Sequence, residues 1–271
     1  MKEICGDVRL TFTQKLQYLA LNIPRGFWGY LTLLKSTHVA PRFSFSEIST
    51  ESPTRQLLDR VFSRVLQEAV PKKTIDVFDI GCGTGYVRDV LASYGYSGTY
   101  TGIDMVREGA YSDTHKAFSS TLIVDDVTTL KTDKKFDLVI SMTVLEHVVD
   151  DTAAVVVSHT IVKRGGTQIH VVPMFPTLFL YFWHGFRQYN KRRLKMLFGK
   201  ADEATAYYRV GGLASFFTHW CWITLPERIL GLGTIRKRLP KLYRLSLFVS
   251  FKIDWFLPFL ATAYIIVKRN K

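Results

Sequence analysis

The stretch VFDIGCGTGY, residues 77–86, decides how this chain of 271 residues is read. Val77, Phe78 and Ile80 close a run of strand-forming residues, and Gly81, Gly83 and Gly85 follow at once. Glycines so placed let the backbone turn sharply and approach a ligand without side-chain obstruction. The spacing is GxGxG with Tyr86 next, which departs from the GxGxxG pattern of dinucleotide binding. Asp79 adds a negative charge beside the loop, where a pyrophosphate would be repelled and an α-ammonium group attracted. The turn therefore favours a ligand with an aminoacyl group over a nicotinamide dinucleotide.

From residue 74 onward, short apolar runs alternate with helical stretches, the pattern of parallel strands joined by helical crossovers. Strands are expected at 75–80, 100–103, 122–124, 136–142 and 167–172, with helices at 87–93 and 150–162. Asp104 ends the second strand in TGIDM, where a carboxylate accepts hydrogen bonds from both hydroxyls of a ribose. Asp126 in IVDDVTTL follows the third strand and suits an adenine amino group, with Met105 and Val127 packing on the ring. Asp125 reads as its solvated neighbour.

Five segments in order resemble the class I S-adenosylmethionine-dependent methyltransferases, in particular the small-molecule group that includes ubiquinone and menaquinone biosynthesis enzymes. They are VFDIGCGTGY, YTGIDM, VDDVTTL, FDLVISMTVLEHV and VKRGGTQIHVVP, covering about residues 74–173. The resemblance implies an α/β fold with a Rossmann-like, doubly wound, mostly parallel sheet, and S-adenosyl-L-methionine as cofactor. It implies Asp79 near the methionyl group, Asp104 on the ribose and Asp126 near the adenine. Gly81, Cys82, Gly83, Gly85, Met105 and Val127 complete the expected cofactor contacts.

The fourth segment also carries Glu146 and His147 at the expected mouth of the pocket. A histidine there is suited to take a proton from an acceptor hydroxyl, since its pKa lies near working pH. In some quinone O-methyltransferases a similar EH pair is associated with a divalent ion, which would give Glu146 a ligand role. Many relatives instead use the segment as a helix start lining the cofactor pocket. His115, His159, His170, His184 and His219 form no metal-ligand spacing with one another and read as packing or surface residues. No metal site is expected. Methyl transfer from a sulfonium is an in-line displacement that alignment alone accelerates, so a strong base is not required.

The flanks have a different character. The chain carries a net charge of +13, and all of it falls in the last third. Residues 1–174 balance 19 basic against 19 acidic side chains, whereas 175–271 hold 17 basic and 4 acidic. Dense aromatics accompany this charge, including Trp183, Trp220, Trp222 and Trp255, with the clusters Lys191-Arg192-Arg193 and Arg236-Lys237-Arg238. That composition suits contact with an anionic membrane surface as well as an internal core with a solvated basic face. Nucleic acid ranks behind a membrane surface as a partner, because no recognition module accompanies the basic clusters.

Residues 175–186 are too short to span a bilayer and suit a surface location, and Lys252, Asp254 and Pro258 interrupt the longer run 245–267. The three cysteines, Cys5, Cys82 and Cys221, suggest neither a disulfide framework nor a zinc site. The N-terminus lacks the apolar stretch of a secretory signal. The expected location is cytoplasmic, peripheral at the inner face of the membrane.

Four parts are expected: an N-terminal helical extension at 1–50, the cofactor domain at 51–173, a cap or insertion at 174–260, and a final strand and tail at 261–271. Pro24, Arg25 and Gly26 should split the extension into two helices. The function these features favour is methyl transfer to a hydrophobic, lipid-linked or glycan small molecule. The alternatives are an RNA methyltransferase or a cofactor-binding scaffold without turnover.

Overall fold

The computed structural model describes residues 3–30 and 34–271. Eight strands form one sheet in the order β1-β7-β8-β6-β5-β2-β3-β4. Five of them make the expected parallel core: β2 (Thr74–Ile80), β3 (Ser97–Asp104), β4 (Phe118–Val124), β5 (Phe136–Met142) and β6 (Val162–Pro173). From β2 the chain winds outward through β3 to β4, then returns to β5 on the other flank of β2. The direction of winding thus reverses between β2 and β5, and in open α/β sheets ligands bind at such a point, beyond the carboxyl ends of the strands.

Alternation along the strands divides the core in two. Ile75 and Val77 face Leu57, Val61 and Leu66 of α2 (Pro53–Ala69) and Leu91 of α3 (Tyr86–Ser93). Phe78 and Ile80 face the other side, with Ala154 and Val155 of α4 (Asp151–Ile161). Ser52 caps α2 through its side chain, which accepts from the Arg55 amide, and Pro53 occupies the first turn, where its missing N–H costs nothing.

The flanks depart from the sequence expectation in three respects. The N-terminal segment is one helix, α1 (Phe12–Tyr30), with Pro24 inside it. Tertiary packing outweighs the lost backbone bond: Tyr18 is fully buried, and Gly26 lies so close to the Phe175 ring that a Cβ would fall within 1.8 Å of it. The same extension supplies β1 (Thr37–Val39), an edge strand parallel to β7.

Residues 174–260 are more than a cap on one side. They contribute β7 (Thr205–Val210), which pairs antiparallel with β8 (Ala263–Arg269), and β8 in turn pairs antiparallel with β6. The final strand at 261–268 is therefore found, beside a strand the sequence reading missed. Residues 175–186 form no surface segment either. Phe175, Leu178 and Leu180 are buried, the last two in the short helix α5 (Leu178–Tyr181).

The remaining helices are α6 (Lys191–Phe198), α7 (Leu213–His219) with a π-helical continuation through Trp220–Ile229, α8 (Ile235–Arg238) and α9 (Pro240–Asp254). Tyr243 and Leu247 join α9 to the core, and Trp222 packs edge-on against Tyr243. Part of the aromatic content is thus internal.

Candidate active site

The glycine turn is fastened to the end of β3. The amides of Gly81 and Cys82 donate to the Ile103 carbonyl at 2.8 and 3.1 Å, and the Gly83 amide donates to Asp104 Oδ2 at 2.9 Å. Gly81 has φ +69° and Gly83 has φ +49°, both in the left-handed region. At Gly81 a Cβ would meet both γ-methyls of Val144 at 2.4 Å, whereas at Gly83 it would meet nothing within 4 Å. The first glycine is required by packing; the second leaves open space above the turn.

Beside this turn lies a cavity of about 500 Å³ at the carboxyl ends of the strands. Gly81, Asp104, Met105, Asp126 and Val127 line it, as does Asp125, which the sequence reading set aside as a solvated neighbour. His147, Val148 and Phe186 form another part of the wall. Asp126 Oδ1 accepts from the amide and hydroxyl of Thr128, both at 2.8 Å, which fixes the turn after β4.

Asp79, Cys82, Gly83 and Gly85 are not among the lining residues. Cys82 packs in the core on the α2 side of the sheet, and its side chain lies where a Cβ on Gly102 would sit. Asp79 is 1% exposed. Its Oδ2 accepts from the Tyr100 hydroxyl, and its Oδ1 has no partner. Burial pushes the Asp79 carboxyl up to about 7, against the lowering effect of the Tyr100 bond and with a smaller rise from the nearby Asp104 charge.

At the other end, Asp7 from the N-terminal extension joins the turn after β5. His147 Nδ1 lies 2.7 Å from Asp7 Oδ2, and His184 Nδ1 lies 3.1 Å from Asp7 Oδ1. The Gly185 amide also donates to Asp7 at 2.9 Å. Burial acts against ionisation of Asp7, but the Gly185 amide and the two imidazoles together hold its carboxyl below the usual range. Neither Asp7 nor a role for His184 in such a cluster was visible in sequence, since 177 residues separate the two and neither belongs to a local motif. The other histidines lie elsewhere: His170 is buried beside Ser141, and His219 is buried beside Thr224.

The family described as "Methyltransferase domain" matches residues 78–169. A ubiquinone biosynthesis O-methyltransferase from Methylobacterium nodulans is 32% identical over 117 residues, 41% of this chain and 46% of that relative. The chain therefore spans about half the length of the curated relative it matches. Among solved structures, the N-methyltransferase NodS from Bradyrhizobium japonicum, in complex with S-adenosyl-L-homocysteine, has a TM-score of 0.49 at 13% identity, covering 81% of this chain and 89% of NodS. The plantazolicin methyltransferase BpumL, also with S-adenosylhomocysteine, has a TM-score of 0.49 at 14% identity, covering 81% and 86%.

The matched segment contains the glycine turn, Asp104, Asp126 and the strands that carry them, and it is similar to class I S-adenosylmethionine-dependent methyltransferase domains. S-adenosyl-L-methionine is the cofactor of that class. The residues present fit it: Asp104 lines the cavity with its Oδ2 holding the Gly83 amide, and the buried Asp79 Oδ1 is an acceptor without a partner.

Proposed function

We propose that this chain transfers a methyl group from S-adenosylmethionine to a hydrophobic or lipid-linked small molecule at an anionic membrane surface. The observation that carries the reading is one cavity of about 500 Å³ that has Gly81, Asp104 and Asp126 at one part of its wall and His147 with Phe186 at another. The cofactor supplies a methyl group already activated on a sulfonium sulfur. Asp104 and Asp126 orient the nucleoside, and Asp79 attracts the positive charge of the methionyl end. His147 stands at the acceptor end, with Nδ1 turned to Asp7 and Nε2 3.8 Å from Glu146. Alignment of acceptor and methyl group then supplies the acceleration.

A hydrophobic acceptor is supported by a second cavity, of about 530 Å³, whose wall includes Phe27, Phe175, Phe179, Phe217, Trp220 and Leu260. Phe175 and Phe179 lie on the segment that continues to His184 and Phe186, so one stretch of chain serves both cavities. Membrane contact is supported by α9, where Leu242, Leu245, Val249 and Ile253 are exposed, and beyond it by exposed Trp255, Phe256 and Phe259. Lys237, Arg238 and Lys241 are exposed close by in sequence, which suits an anionic lipid surface. Among the described residues no helix is long and apolar enough to cross a membrane.

Incubation with methyl-labelled cofactor and either a lipid extract or RNA separates the readings. Label in the lipid fraction is expected. Label in RNA would favour a polymer acceptor, and label in neither, with cofactor bound, would favour a scaffold.

A further inference from the structure

Four ionisable side chains, Asp7, Glu146, His147 and His184, meet where His147 reaches the wall of the cavity, and hydrogen bonding among them leaves one buried carboxylate unexplained. Asp7, His147 and His184 each offer one ligand atom, and these atoms all lie within 4.8 Å of one another. The two imidazoles are nearly perpendicular, at 82°, with centroids 4.7 Å apart. Behind them Glu146 is fully buried, and neither of its carboxylate oxygens has a hydrogen-bond partner. One of those oxygens lies 3.8 Å from His147 Nε2 and 3.9 Å from His184 Nε2.

A buried carboxylate without partners is costly. It is accounted for if both imidazoles turn their Nε2–H toward it and their unprotonated Nδ1 toward a cation. Metal-bound histidines commonly donate their second N–H to a carboxylate in this way, which fixes the tautomer and ring orientation. Two imidazoles and one carboxylate form a donor set suited to first-row transition ions such as Zn²⁺.

We propose that Asp7, His147 and His184 bind a divalent transition-metal ion through the Asp7 carboxylate and the two Nδ1 atoms, with Glu146 accepting from both Nε2–H groups. Asp7 and His184 lie outside residues 78–169, so the site is completed by segments beyond the matched domain. Glu146, which the EH resemblance alone would make a ligand, instead stands behind the ligands. All three ligand side chains are 36% exposed, so an ion can enter from solvent. Three protein ligands leave coordination positions for an oxygen-bearing molecule, and His147 places them at the edge of the cofactor cavity.

The site does not depend on the methyl-transfer reading, and its test reads the metal alone. Full-length protein, stripped with chelator and free of any affinity tag, is titrated with Co²⁺ and followed by visible absorption and calorimetry. One ion per chain is expected, with affinity reduced at least tenfold in His184→Ala and in Asp7→Asn. Asp7→Asn is nearly isosteric and preserves the test if His184→Ala fails to fold. Thermal melting of each variant, measured without metal, reports an intact fold. Absence of Co²⁺ binding up to millimolar concentration, or wild-type affinity in a folded variant, would overturn the site.

Discussion

The Gly83 amide donates to Asp104 Oδ2 at 2.9 Å, which ties the loop after β2 to the end of β3. Asp104 is therefore both part of the cavity wall and the fastening of the glycine turn. The two glycines nearest this bond have different tasks, and substitution separates them.

Gly81→Ala is expected to lower the melting temperature more than Gly83→Ala. Both replacements meet the left-handed backbone penalty of about 1–2 kcal/mol, but only at position 81 would the new Cβ strike Val144. Gly83→Val should abolish cofactor binding, because its side chain would fill the open space above the turn. Thermal melts and calorimetry with S-adenosylhomocysteine check both points. An alanine at position 81 as stable as wild type would contradict the packing role.

Asp79 gives a pH signature. Its folded pKa is raised from 3.8 to about 7, so the native state binds the proton more tightly than the unfolded chain between those values. The stability it contributes is present below the unfolded pKa and is lost as pH rises through the folded one. Asp79→Asn should therefore come closest to wild type below about pH 4 and melt at a higher temperature than wild type at pH 8, both without cofactor. A melting difference that stays constant over this range would remove Asp79 as a buried, proton-binding group.

These two sites show how far the sequence could be read. The turn, Asp104 and Asp126 were legible because each follows a strand at a fixed offset, and strand ends are local features. The strand Thr205–Val210 was not, because TAYYRV lies among basic and aromatic segments and gains its place by pairing with two strands distant in sequence, Thr37–Val39 and Ala263–Arg269. Pro24 misled for a related reason: its local preference is to break a helix, and the packing of Tyr18 and Gly26 overrides it. Asp7 and His184 carried no local signal, since their proximity is produced by the whole fold.

Membrane docking is best tested with the cations near α9. Arg193 is unsuitable, because it pairs with the fully buried Asp151, and Arg236 pairs with Glu227. Replacing Lys237, Arg238 and Lys241 by Gln should weaken association with anionic vesicles by up to about 3 kcal/mol, at roughly 1 kcal/mol per basic residue. Added salt should weaken it as well. Cosedimentation measures both effects, and equal partition onto anionic and neutral vesicles would contradict the docking reading.

The central claim is that the cavity bounded by Gly81, Asp104 and Asp126 holds S-adenosylmethionine, and calorimetry with S-adenosylhomocysteine tests it most directly. Two hydrogen bonds from a ribose to a charged acceptor are worth about 1.5 to 3 kcal/mol each. Asp104→Ala should therefore bind at least tenfold more weakly than wild type while remaining folded. Undetectable binding by the folded wild-type protein, or unchanged affinity in Asp104→Ala, would contradict the account.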